Sequence, residues 1–465
     1  MKVMTADRSF YKTFFPLLVV ISLQALAALM VNMVDNFMLG TYSELALSGA
    51  TTVNQIQFIL QQLVAGIGLG VVVLGSQYWG KGDVAPIRRI ISVALKFGVA
   101  VGIVFCVVTL LFPSAVLGLI TNDAAIVAEG VKYLRLMSVT YLIFPVSNVL
   151  MYSLQSVETA FIGTIMSLST IAINGVLNYC LIFGNLGAPE LGIVGAGIAT
   201  LISRGVEFLI IAVYILRIDR KLRMKLRHLV NLDVTYFRDF IKTATPPMVC
   251  GALWGVAQGA QTAVLGHMSG TAIAANSIAV IIFQIFAVVG MSAANASSVT
   301  IGKAVGSGRT DKIREYSRTL QVIFVCLGVL SGLALFLMKE RIVGMYTVSE
   351  ETRRLAVKFL TVLSVTTVGT CYEYPVEGGI VAGGGDTKYA AIVDNCFMWI
   401  FTIPAAAAAA FLFRAEPVAV FWILKLDQLL KCVPNFIYCN FRQHKWVRSL
   451  TKAPPKTMEK NGQLQ

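Results

Sequence analysis

Charge is what this sequence has least of. Only 13% of its 465 residues are Asp, Glu, Lys or Arg, against 57% hydrophobic. Soluble domains carry nearer ~25% charged residues. A soluble fold of this size would be short of polar surface, so the chain is expected to lie in a lipid bilayer. Histidine is nearly absent: His228, His267 and His444 are the whole set, and no two stand at metal-ligand spacing. That argues against a metalloenzyme. Cysteine occurs 8 times without a CxxC pair, mostly in apolar runs, where it acts as a small buried hydrophobe. The stretch from Met1 to Pro16 lacks an apolar core followed by a small-residue cleavage site, so no removable signal peptide is expected. The apolar runs also lack a nucleophile–base or metal set, which argues against a membrane enzyme.

What charge there is has one sign and one side. The formal net charge is +14. In a soluble protein that would suggest nucleic acid. Here the basic residues fall in short loops between apolar runs, which is a topology signal, and no nucleic-acid partner is expected. A spanning helix needs ~20 mainly apolar residues. Runs begin near Phe14, Thr52, Ile90, Val131, Phe161 and Gly192, then near Thr243, Ile273, Thr319, Ala356, Tyr389 and Pro417. The expected fold is an all-α membrane protein of twelve transmembrane helices. Lys2, Arg8, Lys81, Arg88, Arg220, Lys221, Arg227, Lys303, Arg309, Arg442 and Lys452 fall on one side of these runs. The loops at Thr41–Ser48, Asn185–Glu190 and His267–Thr271 carry no Lys or Arg, while Lys339–Arg354 is mixed. Both termini are therefore expected in the cytoplasm of a multi-pass protein of the bacterial plasma (inner) membrane, acting as a monomer.

The chain writes its first half twice. Leu39-Gly40 recurs as Leu265-Gly266, a shift of 226 (265 less 39). The same shift carries Ser43 to Ser269, Gly80-Lys81-Gly82 to Gly306-Ser307-Gly308 and Ile87-Arg88 to Ile313-Arg314. It also carries Val131-Lys132-Tyr133-Leu134 to Val357-Lys358-Phe359-Leu360. A two-residue slip then aligns Glu158-Thr159 with Asp386-Thr387. Six runs per copy is an even number, so the repeat is parallel and its twofold axis runs along the membrane normal. The expected domains are an amino-terminal six-helix lobe (1–215), an inter-lobe linker (216–233), a carboxy-terminal lobe (234–446) and a disordered tail (447–465). The linker is basic and amphipathic and is expected to be a surface helix at the lipid headgroups.

Ionisable and amide groups inside the runs are the site candidates. Asp35 lies late in the first. Asn174 and Asn178 share a face of the fifth, where their amide oxygens suit either a hard cation or interhelical packing. Arg204 and Glu207 stand three apart in the sixth and are expected to neutralise each other; Lys425, Asp427 and Lys431 in the twelfth partly echo them. Glu373 and Glu377 flank Pro375 in the tenth, where the proline is expected to break the helix, and Asp394 in the eleventh is a candidate for the same cluster. Trp254, Gln258 and Gln261 form one stripe of the seventh, suited to packing or to lining a substrate path. The GKG and GSG triplets lack the features of a phosphate loop and are tight turns.

With these residues in view, the chain resembles the multidrug and toxic compound extrusion (MATE) family from Phe14 to about Trp446. The resemblance rests on Val34-Asp35-Asn36-Phe37-Met38-Leu39-Gly40, Gly80-Lys81-Gly82-Asp83, Asn174–Gly184, Glu190–Thr200, Gly383-Gly384-Gly385-Asp386-Thr387 and Ile403-Pro404. It implies two six-helix lobes arranged as a V, alternating access, and efflux of organic, often cationic, compounds coupled to sodium or protons. No other cofactor is implied. Asp35, Asn174, Asn178 and Thr200 match positions of an amino-lobe cation site in family members, and sodium is one expected occupant. Two departures stand out. Asn178 replaces an Asp of some members, and the seventh run carries Gln258 and Gln261 where others place an acid. Glu373, Glu377, Trp254, Gln258 and Gln261 are the expected substrate-lining set. The alternative is a flippase for a lipid-linked precursor, which needs a wide cationic cavity.

Overall fold

The computed structural model describes residues 4–225, 228, 234–346 and 348–451. These residues form helices and turns, with no strand among them. Eleven helices are long and apolar enough to cross a membrane: α1 (Arg8–Tyr42), α2 (Glu44–Lys81), α3 (Val84–Leu111), α4 (Ala124–Ser156), α5 (Phe161–Phe183), α6 (Ile193–Ile218), α7 (Tyr236–Met268), α8 (Gly270–Gly306), α9 (Thr310–Val343), α10 (Glu350–Val381) and α11 (Thr387–Phe411). The twelfth expected span is α12, made of Pro417–Leu430 and Cys432–Phe441 with only Lys431 between them. Lys431 keeps right-handed helical dihedrals, so the axis continues through it. Pro375 does not break α10. It opens a widened π-helical stretch, Pro375–Val381, that absorbs the missing donor and lets the helix run on.

The repeat is visible in the packing. In the amino lobe α2 packs on α4 and α3, α4 on α3 and α6, and α5 on α1 and α6. The carboxy lobe repeats each pairing six helices later: α8 with α10 and α9, α10 with α9 and α12, α11 with α7 and α12. Local details repeat as well. The hydroxyl of Ser43 caps α2 by accepting from the Ala46 amide, and Ser269 caps α8 through the Ala272 amide. The turns that follow both helices use glycine at positive φ, Gly82 at 80° and Gly308 at 70°.

The lobes meet at one end only. Between them α2 packs on α7 and on α8, and α1 packs on α8, which are the contacts a twofold axis through the α2–α8 pair requires. Two large apolar clusters cross the boundary. One joins Phe10, Phe14 and Leu17 of α1 to Ala293 and Val299 of α8 and Tyr316 of α9. The other joins Ile67 and Leu74 of α2 to Phe240, Ala244 and Met248 of α7. Both lie toward the end where the Lys- and Arg-rich loops sit. At the opposite end each cluster stays in its own lobe: Leu39, Val53 and Tyr141 in one, Leu265, Ile282 and Phe421 in the other. The molecule is thus a V, closed at its basic end and parted at the other.

Small residues make the closed end possible. Gly80 of α2 lies directly against the backbone of Lys303 in α8, and Gly306 of α8 lies against the backbone of Gln77 in α2. These are repeat mates, so one contact is written twice. A methyl group at either glycine would drive the helices apart. Around this seam Lys303 pairs with Glu158 at 2.5 Å, and Lys221 donates to the Val157 carbonyl at 2.6 Å.

The linker and tail differ in detail from expectation. Residues 219–225 are turns rather than a surface helix. The Asp219 carboxylate accepts from the backbone amides of Lys221, Leu222 and Arg223, which holds the chain in a turn and competes with helix. Residues 216–218 belong to the end of α6, and the rest of the expected headgroup helix, apart from residue 228, lies outside the described residues. The stretch expected as a disordered tail begins with a docked segment. Trp446 is fully buried, the Arg448 amide donates to the Gly384 carbonyl at 2.7 Å, and the Gln77 side chain accepts from the Leu450 amide at 2.7 Å. Residues 452–465 lie outside the described residues.

Candidate functional site

Three helices bring the amino-lobe candidates together. Asp35 comes from α1, Asn174 and Asn178 from one face of α5, and Thr200 from α6. The Asn178 amide donates to Asp35 Oδ1 at 2.5 Å and to Asn174 Oδ1 at 3.1 Å. The Asn174 amide in turn donates to Thr200 Oγ1 at 3.4 Å. Both asparagines are buried, at 1% and 0% exposure. The packing that holds them is local: α5 lies between α1 and α6, the pair of contacts its apolar faces make.

This chain of amides leaves acceptors to spare. Asn178 Oδ1 is buried without a hydrogen-bond partner, and so is Gln57 Oε1. Buried polar atoms are normally satisfied, so an orphaned oxygen beside a carboxylate marks a place for a donor or a cation. A cavity of about 30 Å³ lies there, lined by Asn32, Asp35, Gln57, Tyr133, Asn174 and Thr200 among others. That is room for an ion or a water. It is far below the ~300–1,000 Å³ of a pocket for an organic ligand. The donor set, one carboxylate with amide and hydroxyl oxygens, suits a hard monovalent cation or a proton and lacks the charge for a tight divalent site.

Arg204 also lines this cavity, but its charge is engaged. Its Nη1 donates to Glu207 Oε2 at 2.7 Å, and its guanidinium lies 5.0 Å from the Phe144 ring centroid. Arg204 and Glu207 thus form the local pair their spacing suggests. Tyr133 and Gln57 were not singled out as site residues. The signal for Tyr133 was available in the repeat: its mate is Phe359, which stacks on Phe421 at 4.0 Å in an apolar core. A hydroxyl added in one lobe only is a mark of a polar site.

The carboxy-lobe candidates form a denser cluster. Oxygens of Glu373, Glu377 and Asp394 all lie within 4.8 Å of one another. Lys431 is their counter-ion, with Nζ 2.6 Å from Asp394 Oδ1, 3.4 Å from Asp427 and 3.5 Å from Glu373. Glu377 accepts from the Asn435 amide at 2.6 Å. Glu373 and Glu377 are only 4% and 2% exposed, so they stand behind the helix surface and face no open cavity in this conformation. Lys431 thus pairs with three of the four buried carboxyl groups, and Asn435 holds the fourth.

The α7 stripe divides. Trp254 packs on Phe58 of α2 with ring centroids 5.9 Å apart, where the two lobes begin to part. Gln258, one turn on toward the parted end, is half-buried. Gln261 is buried and turned into its own lobe, where its Oε1 accepts from Lys425 Nζ at 2.8 Å.

Comparison with known proteins agrees with this architecture. The MatE family model matches residues 21–180 and 252–407, one stretch in each lobe. A probable multidrug resistance protein NorM of Bacillus anthracis is 23% identical over 399 residues, covering 85% of this chain and 87% of that protein. One from Xylella fastidiosa is 24% identical over 392 residues, covering 82% and 81%. Among solved structures, a MATE bound to MaL6 superposes with a TM-score of 0.86 at 17% identity, covering 94% of this chain and 96% of the other. A MOP superfamily transporter from Pyrococcus furiosus, described as having a binding pocket of reverse polarity, gives 0.87 at 16% identity, covering 96% and 99%. With a family match in both lobes, an all-helical double repeat and a V of two six-helix bundles, the chain is a multi-pass membrane protein that belongs to the MatE, or multidrug and toxic compound extrusion, family.

Proposed function

We propose that this protein is an antiporter that exports organic compounds, chiefly cationic amphipathic ones, by alternating access coupled to a monovalent cation at Asp35. The observation that carries this is the ion-sized cavity onto which Asp35, held by the Asn178 amide, opens together with Asn174, Thr200 and the orphaned Gln57 Oε1. Asn174 and Thr200 complete the donor set, with sodium or a proton as occupant. The basic end is the cytoplasmic one, which places both termini in the cytoplasm and makes this conformation outward-open, in the plasma membrane of a bacterium. Multidrug resistance relatives support export of organic molecules.

The coupling logic is linkage. A cation at Asp35 must bind one conformation of the lobe better than the other, or it moves nothing. Asp35 reaches across from α1 to α5, so a bound ion changes how these helices pack, and α1 also touches α8 of the other lobe. Trp254 and Gln258 line the cleft where the lobes part. Glu373 and Glu377 stand behind it and supply negative potential without touching the cargo. At ~8 Å and an effective dielectric of ~20, such attraction is about 2 kcal/mol before desolvation. A cation is thereby favoured over a neutral compound. The flippase alternative is not favoured: it needs a wide cationic cavity, and the cavity at Asp35 is ion-sized, with its one cation, Arg204, engaged by Glu207.

The test is an ion jump. Purified protein in liposomes is loaded with ethidium, and an inward sodium or proton gradient is imposed across the membrane. Gradient-driven ethidium movement with one ion and not the other is expected, and identifies it. Movement that ignores both gradients would end the antiport reading.

A further inference from the structure

The repeat sets the two lobes side by side at the position of the cation site. A shift of 226 carries Asp35 to Gln261 and Tyr133 to Phe359. The carboxylate of the amino lobe is thus replaced by a neutral amide in the carboxy lobe, and the tyrosine by a phenylalanine. What fills the corresponding space is Lys425. Its Nζ donates to Gln261 Oε1 at 2.8 Å. It lies 5.8 Å from the ring centroid of Phe421, which stacks on Phe359. Lys425 is 7% exposed and Gln261 5%. No carboxylate pairs with Lys425 among the described residues. Its neighbour Asp427 is engaged by Lys431 at 3.4 Å.

We propose that the carboxy lobe holds a second copy of the cation site, in which the ammonium of Lys425 permanently takes the place of the free ion. This rests on the amino-lobe reading above. Three correspondences support it. The acceptor comes from the mate of Asp35. The ring beside the ammonium, Phe421, stacks on the mate of Tyr133. The occupant carries one positive charge, as a monovalent coupling ion does. The amide in place of a carboxylate follows from the occupant: a tethered cation cannot be lost to solvent, so a neutral oxygen holds it. The consequence is functional. Of the two matched positions only that of Asp35 exchanges an ion, while Lys425 keeps the charge at the other throughout the transport cycle.

The site can be emptied and refilled. Lys425→Ala removes the tethered cation and leaves a space shaped for three methylenes and an ammonium. In the purified full-length variant a lowered melting temperature is expected. Addition of n-propylammonium chloride should recover most of that loss in a saturable way, and 1-propanol at the same concentration should not. Equal effects of the two, or none from either, would overturn the proposal. Should Lys425→Ala fail to fold, Gln261→Glu decides the matter alone. A carboxylate against Lys425 should raise the melting temperature above that of the parent, and an unchanged or lower value would contradict an ammonium at this place. Rescue by propylammonium is expected to persist in Asp35→Asn/Lys425→Ala. The amino-lobe reading fails separately, if Asp35→Asn still couples ethidium movement to an ion gradient.

Discussion

At the scale of single residues, buried charge is the main cost and its compensation the main clue. Lys431 is the one ammonium among Glu373, Asp394 and Asp427. Removing one member of a buried network leaves the others uncompensated. Lys431→Met is expected to cost roughly 3–5 kcal/mol of stability, read as a large fall in melting temperature in detergent. A second residue acts at the closed end. Asp7, which precedes α1, accepts from the Tyr316 hydroxyl at 2.6 Å, from the Ser9 hydroxyl and amide, and faces Lys312 at 3.6 Å. The Tyr316 bond first, then those from Ser9, hold its carboxyl well below the usual carboxylate range. A depressed folded value means the contribution is present above the unfolded value of about 4 and is lost as pH falls below it. Asp7→Ala should therefore lower stability at pH 7, by about 1 kcal/mol for the cap alone. The gap to the parent protein should narrow as the melting series is taken below about pH 4. A gap independent of pH would show that the charge on Asp7 contributes nothing.

At the scale of helices, hydropathy and glycine punctuation carried most of the information. All twelve expected runs are helical, because each needs only length and apolarity to satisfy its backbone in lipid. Their ends extend beyond the apolar stretches, as α1 does from Phe14 back to Arg8, since a helix continues past the membrane core where capping permits. Pro375 shows the limit of a local rule. Its helix widens into π geometry and does not break, and the widened stretch packs on α8. The GKG and GSG triplets were legible as turns but not as the seam between lobes, since close approach depends on a partner distant in sequence. Gly80 and Gly82 separate these roles. Gly80→Ala places a methyl against the Lys303 backbone and should impair both closure and transport. Gly82→Ala meets nothing within 4 Å and carries only the cost of a left-handed residue, about 1–2 kcal/mol, with transport preserved. Efflux rates of the two variants at equal expression check this. Equal loss in both would contradict the seam.

At the scale of the whole molecule, the repeat was the most informative feature of the sequence, because it placed two lobes about an axis before any contact was known. The Asp35, Asn174, Asn178 and Thr200 set was legible through family resemblance and comes together here. The Lys425–Gln261 contact was not, since a buried lysine on α12 has no local signal naming its partner on α7. The sidedness expected from loop charge is open to direct test. Single cysteines in place of Gly187 and Lys221, both exposed, should label from opposite sides with an impermeant thiol reagent, once the exposed Cys326 and Cys396 are removed. Labelling from the same side would overturn the parallel repeat.

The central claim is that cation exchange at Asp35 drives transport. Its most direct measurement compares Asp35→Asn with the parent protein in the same liposomes, under the ion gradient that moves ethidium. Asn keeps the size of the side chain and can still meet Asn178 through its amide, so a folded protein is expected, verified by its melting temperature. Gradient-driven ethidium movement is expected to fall to the level of empty liposomes while ethidium binding is retained. Gradient-driven movement equal to that of the parent, at equal reconstitution, would contradict it.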